Sequence, residues 1–222
     1  MPSKAEENLP ATNEGYGTRE YWEQRYTVEG VGHDFDWFLK PDYLLQFFDG
    51  LTKDIDVGKD ARILILGCGN SSLGEALYDA GWRNLVNIDY SKAVIEQMIE
   101  RHGETRPQMK WLEMDVLDLK FEQEFDLVVD KATMDAMLTT KGDPWNPPQK
   151  DIDMCTKEVD EGLRVLRKQL GSKFVYWSFG QPHFRKRFFI NRAGWKYSQK
   201  SVGPEDGFEY FQYLLEWEEV VA

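Results

Sequence analysis

The stretch ARILILGCGNSSLGEAL at residues 61–77 constrains this chain more than any other. Four successive apolar residues, Ile63 to Leu66, read as a strand buried on both faces, as in a parallel sheet. The chain then turns at Gly67-Cys68-Gly69 and enters a segment with Leu73, Ala76, Leu77 and Ala80 at helical spacing. Ser72 followed by Glu75 predicts a capping box at the helix start, and Gly81 supplies its stop. Glycine permits a tight strand-to-helix turn, and it also lets a ligand come close to the backbone.

The same alternation continues downstream. Leu85–Ile88, Met109–Met114, Phe125–Val129 and Lys173–Phe179 read as further strands. Ser91 is placed to cap a helix with the stripe Val94, Ile95, Met98 and Ile99. Cys155, Val159, Leu163 and Leu166 mark a long amphipathic helix, and Phe184–Asn191 reads as a shorter one. Trp195–Val202 and Phe208–Trp217 alternate as a closing antiparallel pair. The expectation is an α/β fold: a Rossmann-like, seven-stranded, mostly parallel sheet with helices on both faces. Residues 1–15 are polar and are expected to be a disordered tail. Residues 16–222 are expected to form one domain, with an aromatic-rich helical segment at 16–50.

Composition narrows the function classes. The net charge is −12, which argues against nucleic acid as the main partner and suits a cationic ligand or a basic protein. No apolar run of membrane-spanning length and no secretory leader is evident. The two cysteines, Cys68 and Cys155, form no metal or disulfide pattern, so the expected setting is reducing and cytoplasmic.

Two carboxylates give the glycine turn its chemistry. Asp89 ends the second strand, twenty positions after Gly69, where it can accept both hydroxyls of a ribose. It could equally cap the following helix. Asp115, just after the third strand, could accept an adenine amino group or belong to a solvated turn. Together the three features describe an adenosine ligand. A nicotinamide dinucleotide wants a glycine where Ser72 stands, so an adenosine compound lacking a pyrophosphate fits better.

The segments ILILGCGNSSLGEALYDAG, NIDYSKAVI, MDVLDL and FDLVVDKATMDAM, in this order, resemble the seven-β-strand S-adenosylmethionine-dependent methyltransferases. With REYWEQRY, FDWF, LGCGNSSL and PHFR, the chain is similar to enzymes that methylate lysines of translation elongation factor 1-alpha. These are the lysine methyltransferase 4 type and the amino-terminal half of the methyltransferase-like 13 type. The resemblance implies S-adenosyl-L-methionine as cofactor and S-adenosyl-L-homocysteine as product. It places Gly67, Gly69 and Asn70 by the methionine part, Asp89 on the ribose, and Tyr90, Asp115 and Val116 at the adenine. It further implies that Trp22, Tyr26 and Trp37 cover the cofactor and that Lys131 lies near its carboxylate. The family reads Glu-Lys-Gly-Thr-Leu-Asp where this chain has Asp130-Lys131-Ala132-Thr133-Met134-Asp135.

The function expected is protein-lysine N-methylation of a basic substrate, elongation factor 1-alpha, by a monomeric enzyme without a metal. A small-molecule methyltransferase of the same fold is the alternative. Asp130, Asp135 and His183 are the candidates for orienting the amine, although Asp135 could instead cap a helix and His183 merely begin one. DPWNPP at 143–148 reads as a rigid loop near the substrate entrance.

Overall fold

A computed structural model describes residues 8–204 and 207–218 of the chain. Its sheet has seven strands in the order β3-β2-β1-β4-β5-β7-β6. These are β1 (Ile63–Leu66), β2 (Leu85–Asp89), β3 (Lys110–Glu113), β4 (Leu127–Lys131), β5 (Lys173–Ser178), β6 (Trp195–Val202) and β7 (Tyr210–Trp217). The first five pair in parallel. The last two close the sheet antiparallel against β5. Strand order reverses between β1 and β4, and the carboxyl ends of those two strands frame the crevice where such sheets take ligands.

The apolar run of β1 is explained by its place at the centre of the sheet. Ile63 and Ile65 point into one core, Leu64 and Leu66 into the other, and all four are buried. The first core is covered by helices α1 (Arg19–Glu29), α2 (Pro41–Thr52), α3 (Leu73–Asp79) and α4 (Lys92–His102). The second is covered by α5 (Thr133–Met137) and α6 (Gln149–Val165), with Phe188 and Phe189 behind a short α7 (Pro182–Arg185). Each fully buried Leu, Ile or Phe contributes about 1.5–3 kcal/mol to holding a helix on the sheet.

Several boundaries differ from expectation for local reasons. The fourth strand runs to Lys131, while Phe125 makes only an isolated bridge to Leu166. Leu166 is consequently extended and lies outside α6. Phe184–Asn191 is not one helix: α7 ends at Arg185 and a 3-10 turn, Lys186–Phe188, follows. Ser91 does cap α4, accepting the N–H of Val94 at 3.4 Å. The Ser72–Glu75 capping box does not form. The Ser72 hydroxyl donates to Asp36 at 2.8 Å, and Glu75 is drawn to Arg106 at 2.8 Å.

Of the expected tail, residues 1–7 lie outside the described residues. The remainder is structured: Asn13–Gly17 is a 3-10 turn, and the Tyr21 hydroxyl donates to the Asn8 carbonyl at 2.9 Å. Among the described residues no helix is long and apolar enough to cross a membrane.

Candidate active site

Beyond β1 the backbone enters the left-handed region twice, at Gly67 (φ 51°) and Gly69 (φ 50°). A side chain is excluded at both for a second reason. A Cβ on Gly67 would lie 2.3 Å from Thr133 Oγ1, and one on Gly69 would lie 2.6 Å from the Tyr26 hydroxyl. The close approach that the glycines were expected to allow a ligand is therefore made, in part, by the protein's own side chains. Thr133 also donates to the Leu66 carbonyl at 3.1 Å, tying the start of α5 to the end of β1.

Asp89, at the end of β2, accepts the N–H of Gly69 at 3.0 Å and of Ser91 at 2.9 Å. Burial pushes its carboxyl up to about 6, although both of those N–H donors pull the other way. Asp115 is exposed and accepts the Leu117 N–H at 2.9 Å. Val116 beside it is buried. Tyr90 is half-buried, and burial with the neighbouring Asp89 and Asp115 raises its phenol.

The N-terminal segment forms an aromatic wall. Trp22 stacks on Tyr26 with ring centres 5.7 Å apart and meets Trp37 edge-on at 6.2 Å. A cation already lies against this wall: the Arg25 guanidinium is 5.5 Å from the Trp22 ring, 4.9 Å from Phe35 and 5.6 Å from Trp37. Arg25 is buried and paired to Glu29 at 2.8 Å, and Glu29 also accepts from Asn70 at 2.9 Å. Sequence reasoning missed this pair, although its i,i+4 spacing within REYWEQRYTVE was the available signal.

Lys131, at the end of β4, lies 3.1 Å from Asp36 and donates to the Trp37 carbonyl at 3.2 Å. Burial lowers its ammonium, with Asp36 opposing. Asp36 also holds the hydroxyls of Ser71 and Ser72. Burial would raise its carboxyl, but Lys131 and those hydroxyls outweigh burial and keep it below the usual range. Phe38, two residues on, is a bulky side chain in the left-handed region (φ 63°), held edge-on by Phe179 at 5.0 Å.

One cavity of about 970 Å³ collects these groups. Its lining includes Trp22, Tyr26, Trp37, Gly67, Gly69, Asn70, Asp89, Tyr90, Asp115, Val116 and Lys131. Thr139 to Gly142, Pro144 and Phe179 line it as well, so the DPWNPP loop does reach the cavity, through its first proline.

The three amine-orienting candidates separate. Asp135 lines the cavity, where Arg185 and Ser178 hold its Oδ1 at 2.7 Å each. It sits inside α5 and caps nothing. Asp130 is the actual cap. It accepts the N–H of Thr133 at 2.8 Å and of Met134 at 3.2 Å, and lies fully buried behind the lining. Burial pushes it up to about 7. Facing it is Glu158 of α6, also fully buried, with no N–H or hydroxyl donor on either oxygen among the described residues. Burial and the Asp130 charge push Glu158 well above the ordinary carboxylate range. His183 is exposed, stacked on Trp145 at 4.7 Å, and outside the lining. Among the described residues no three His, Cys, Asp or Glu side chains are grouped to hold a metal ion.

Comparison with known proteins gives this cavity a context. Residues 63–142 match the family model described as "Methyltransferase domain". The EEF1A lysine methyltransferase 4 of Bos taurus is 31% identical over 217 residues, covering 97% of this chain and 81% of that protein. The eEF1A lysine and N-terminal methyltransferase of Mus musculus is 37% identical over 190 residues, covering 84% of this chain and 25% of that protein. Among solved structures, the N-methyltransferase NodS of Bradyrhizobium japonicum WM9, in complex with S-adenosyl-L-homocysteine, superposes with a TM-score of 0.55 at 15% identity. That match covers 89% of this chain and 99% of NodS, and it shows a shared fold.

Proposed function

Because this chain belongs to the family of EEF1A lysine methyltransferase 4, we propose that it methylates lysine side chains of EEF1A, with S-adenosylmethionine as the methyl donor. The observation that carries this reading is the shared cavity. The groups suited to an adenosyl sulfonium compound and the Asp135–Arg185 pair line the same 970 Å³ space, so donor and acceptor can meet there.

The residues fit the cofactor chemically. The oxygens of Asp89 accept from sugar hydroxyls, and those of Asp115 from an amino group on the base. Lys131 offers a cation to a carboxylate. Trp22, Tyr26 and Trp37 offer aromatic faces of the kind that attract cations. When bound, S-adenosylmethionine supplies an activated methyl group on a positively charged sulfur.

The remaining work belongs to the protein. A nucleophilic amine must be neutral, and removing the proton from a free lysine at neutral pH costs about 4–5 kcal/mol. Burial in the cavity lowers that cost by disfavouring the ammonium. Asp135 is the candidate for orienting the amine, since it alone of Asp130, Asp135 and His183 lines the cavity. The net charge of −12 suits a basic protein substrate. The free thiols Cys68 and Cys155 suit a cytoplasmic enzyme, which we take to act as a monomer.

The test is incubation of the purified protein with labelled S-adenosylmethionine and recombinant EEF1A, read by mass spectrometry. A methyl increment on a lysine of EEF1A is expected. Label in a cell extract that enters only the small-molecule fraction would favour the small-molecule reading instead.

A further inference from the structure

Arg185 Nη2 donates to Asp135 Oδ1 at 2.7 Å, with side chains only 10% and 6% exposed. The Ser178 hydroxyl donates to the same oxygen at 2.7 Å. Arg185 is itself fixed. Its Nε donates to the Tyr176 hydroxyl at 3.2 Å, and its guanidinium lies so close to Gly180 that a Cβ there would meet it at 2.5 Å. The pair is thus held from β5 and α7 together. Asp135 Oδ2 is buried and has no donor among the described residues. Both side chains line the cavity.

A lysine awaiting methylation has two conflicting needs. It must be held by an acceptor, and it must give up its proton. A lone buried carboxylate meets the first need and defeats the second, because an opposite charge nearby stabilises the ammonium. The other groups facing Asp135 do not balance its charge. These are Asp130 on β4, Glu158 and Cys155 on α6, Tyr176 on β5 and Tyr213 on β7. Arg185 is the cation packed against it.

We propose that Arg185 is a positioning residue for the methyl acceptor. It occupies Oδ1 and balances the charge of Asp135, so that Oδ2 accepts an N–H of the substrate amine without trapping it as ammonium. This rests on the lysine-methylating reading above. The same arrangement explains why an arginine is buried at the end of PHFR, where the sequence suggested only the start of a helix.

The experiment measures kcat against pH on EEF1A for the wild type, Arg185→Gln, Arg185→Lys and Asp135→Asn. S-adenosylhomocysteine affinity is measured calorimetrically on the same preparations. In Arg185→Gln the uncompensated carboxylate raises the pKa of the bound amine, so the midpoint of the pH–rate curve moves up by about one unit or more. Activity at pH 7.5 then falls about tenfold and recovers at alkaline pH, while cofactor affinity is unchanged. Arg185→Lys keeps the charge and the wild-type midpoint, so it remains informative should the Gln variant not fold. Asp135→Asn raises KM without touching cofactor affinity. An equal loss at every pH in Arg185→Gln, or a full-unit midpoint shift in Arg185→Lys, overturns the inference. A wild type that methylates no lysine of EEF1A defeats the proposed function itself, and this inference with it.

Discussion

Asp89 Oδ2 accepts the backbone N–H of Gly69 at 3.0 Å, joining the end of β2 to the glycine turn beyond β1. The bond positions a carboxylate where β1 and β2 open into the cavity, and burial raises that carboxyl to about 6. Keeping it ionised therefore costs the ligand-free fold roughly 3 kcal/mol. That cost applies in full above pH 6 and is relieved as the pH falls toward about 4, the value in the unfolded chain.

Cofactor binding should run against this trend. Sugar hydroxyls donate best to the ionised carboxylate, so binding lowers its pKa. Affinity for S-adenosylhomocysteine should be level above pH 6 and fall by up to about tenfold per unit below it. Calorimetry between pH 5 and 8 checks this. Asp89→Asn should bind weakly at all pH values and lose the slope; a wild-type affinity independent of pH would remove Asp89 from the site.

Lys131, which lines the cavity, pairs with Asp36 behind it, with side chains 5% and 11% exposed. Asp36→Asn leaves a buried ammonium without its counter-charge, a change that costs about 3–5 kcal/mol. In a chain of this size each kcal/mol is worth about 2–4 °C, so Tm should drop by about 6–20 °C. The carboxyl of Asp36 is held below its ordinary value, so its contribution is present at neutral pH and lost as pH falls through that lowered value. Thermal melts at pH 7 and pH 3 should show the wild-type advantage over the variant at the higher pH and a smaller one at the lower.

What could be read in the sequence follows the range of the interactions. The β1 run, the glycine turn and the Asp89 spacing are set by backbone bonding and short-range periodicity, so the fold and the glycine-turn end of the cavity were legible. That Trp22, Tyr26 and Trp37 line the cavity was legible only through resemblance, since a helix rich in aromatics could equally be core. Asp36 with Lys131 and Arg185 with Asp135 were not legible as pairs. Each closes only when distant segments fold together; Arg185 and Asp135 are fifty positions apart in the chain. The capping box failed for the same reason, because a distant carboxylate, Asp36, competed for Ser72 and won.

Ala132 occupies the left-handed region (φ 77°, ψ 1°) immediately before α5, at the position where the resembled enzymes have glycine. A non-glycine residue there costs about 1–2 kcal/mol. Ala132→Gly relieves that strain but gives the unfolded chain about 0.4–1 kcal/mol more conformational freedom. The net expectation is a stabilisation of up to about 1.5 kcal/mol by denaturant unfolding. A loss of stability would show that the Ala132 methyl makes a packing contact worth more than the strain.

Gly69 supplies a sharper test, because its exclusion of side chains has two separable causes. The first is its backbone, at φ 50°, where a β-carbon costs about 1–2 kcal/mol. The second is Tyr26, whose hydroxyl would sit 2.6 Å from that carbon while its next atom, Cζ, would sit 3.5 Å away, an ordinary contact. Gly69→Ala alone should therefore lose both stability and S-adenosylhomocysteine affinity. Removing the hydroxyl with Tyr26→Phe should restore the part owed to the clash and leave the part owed to the backbone. The coupling energy in the double-mutant cycle is expected to be favourable by about 1–2 kcal/mol. Strict additivity would mean that Tyr26 swings away at little cost, and that the ring is a movable cover on the cavity and no fixed part of its wall.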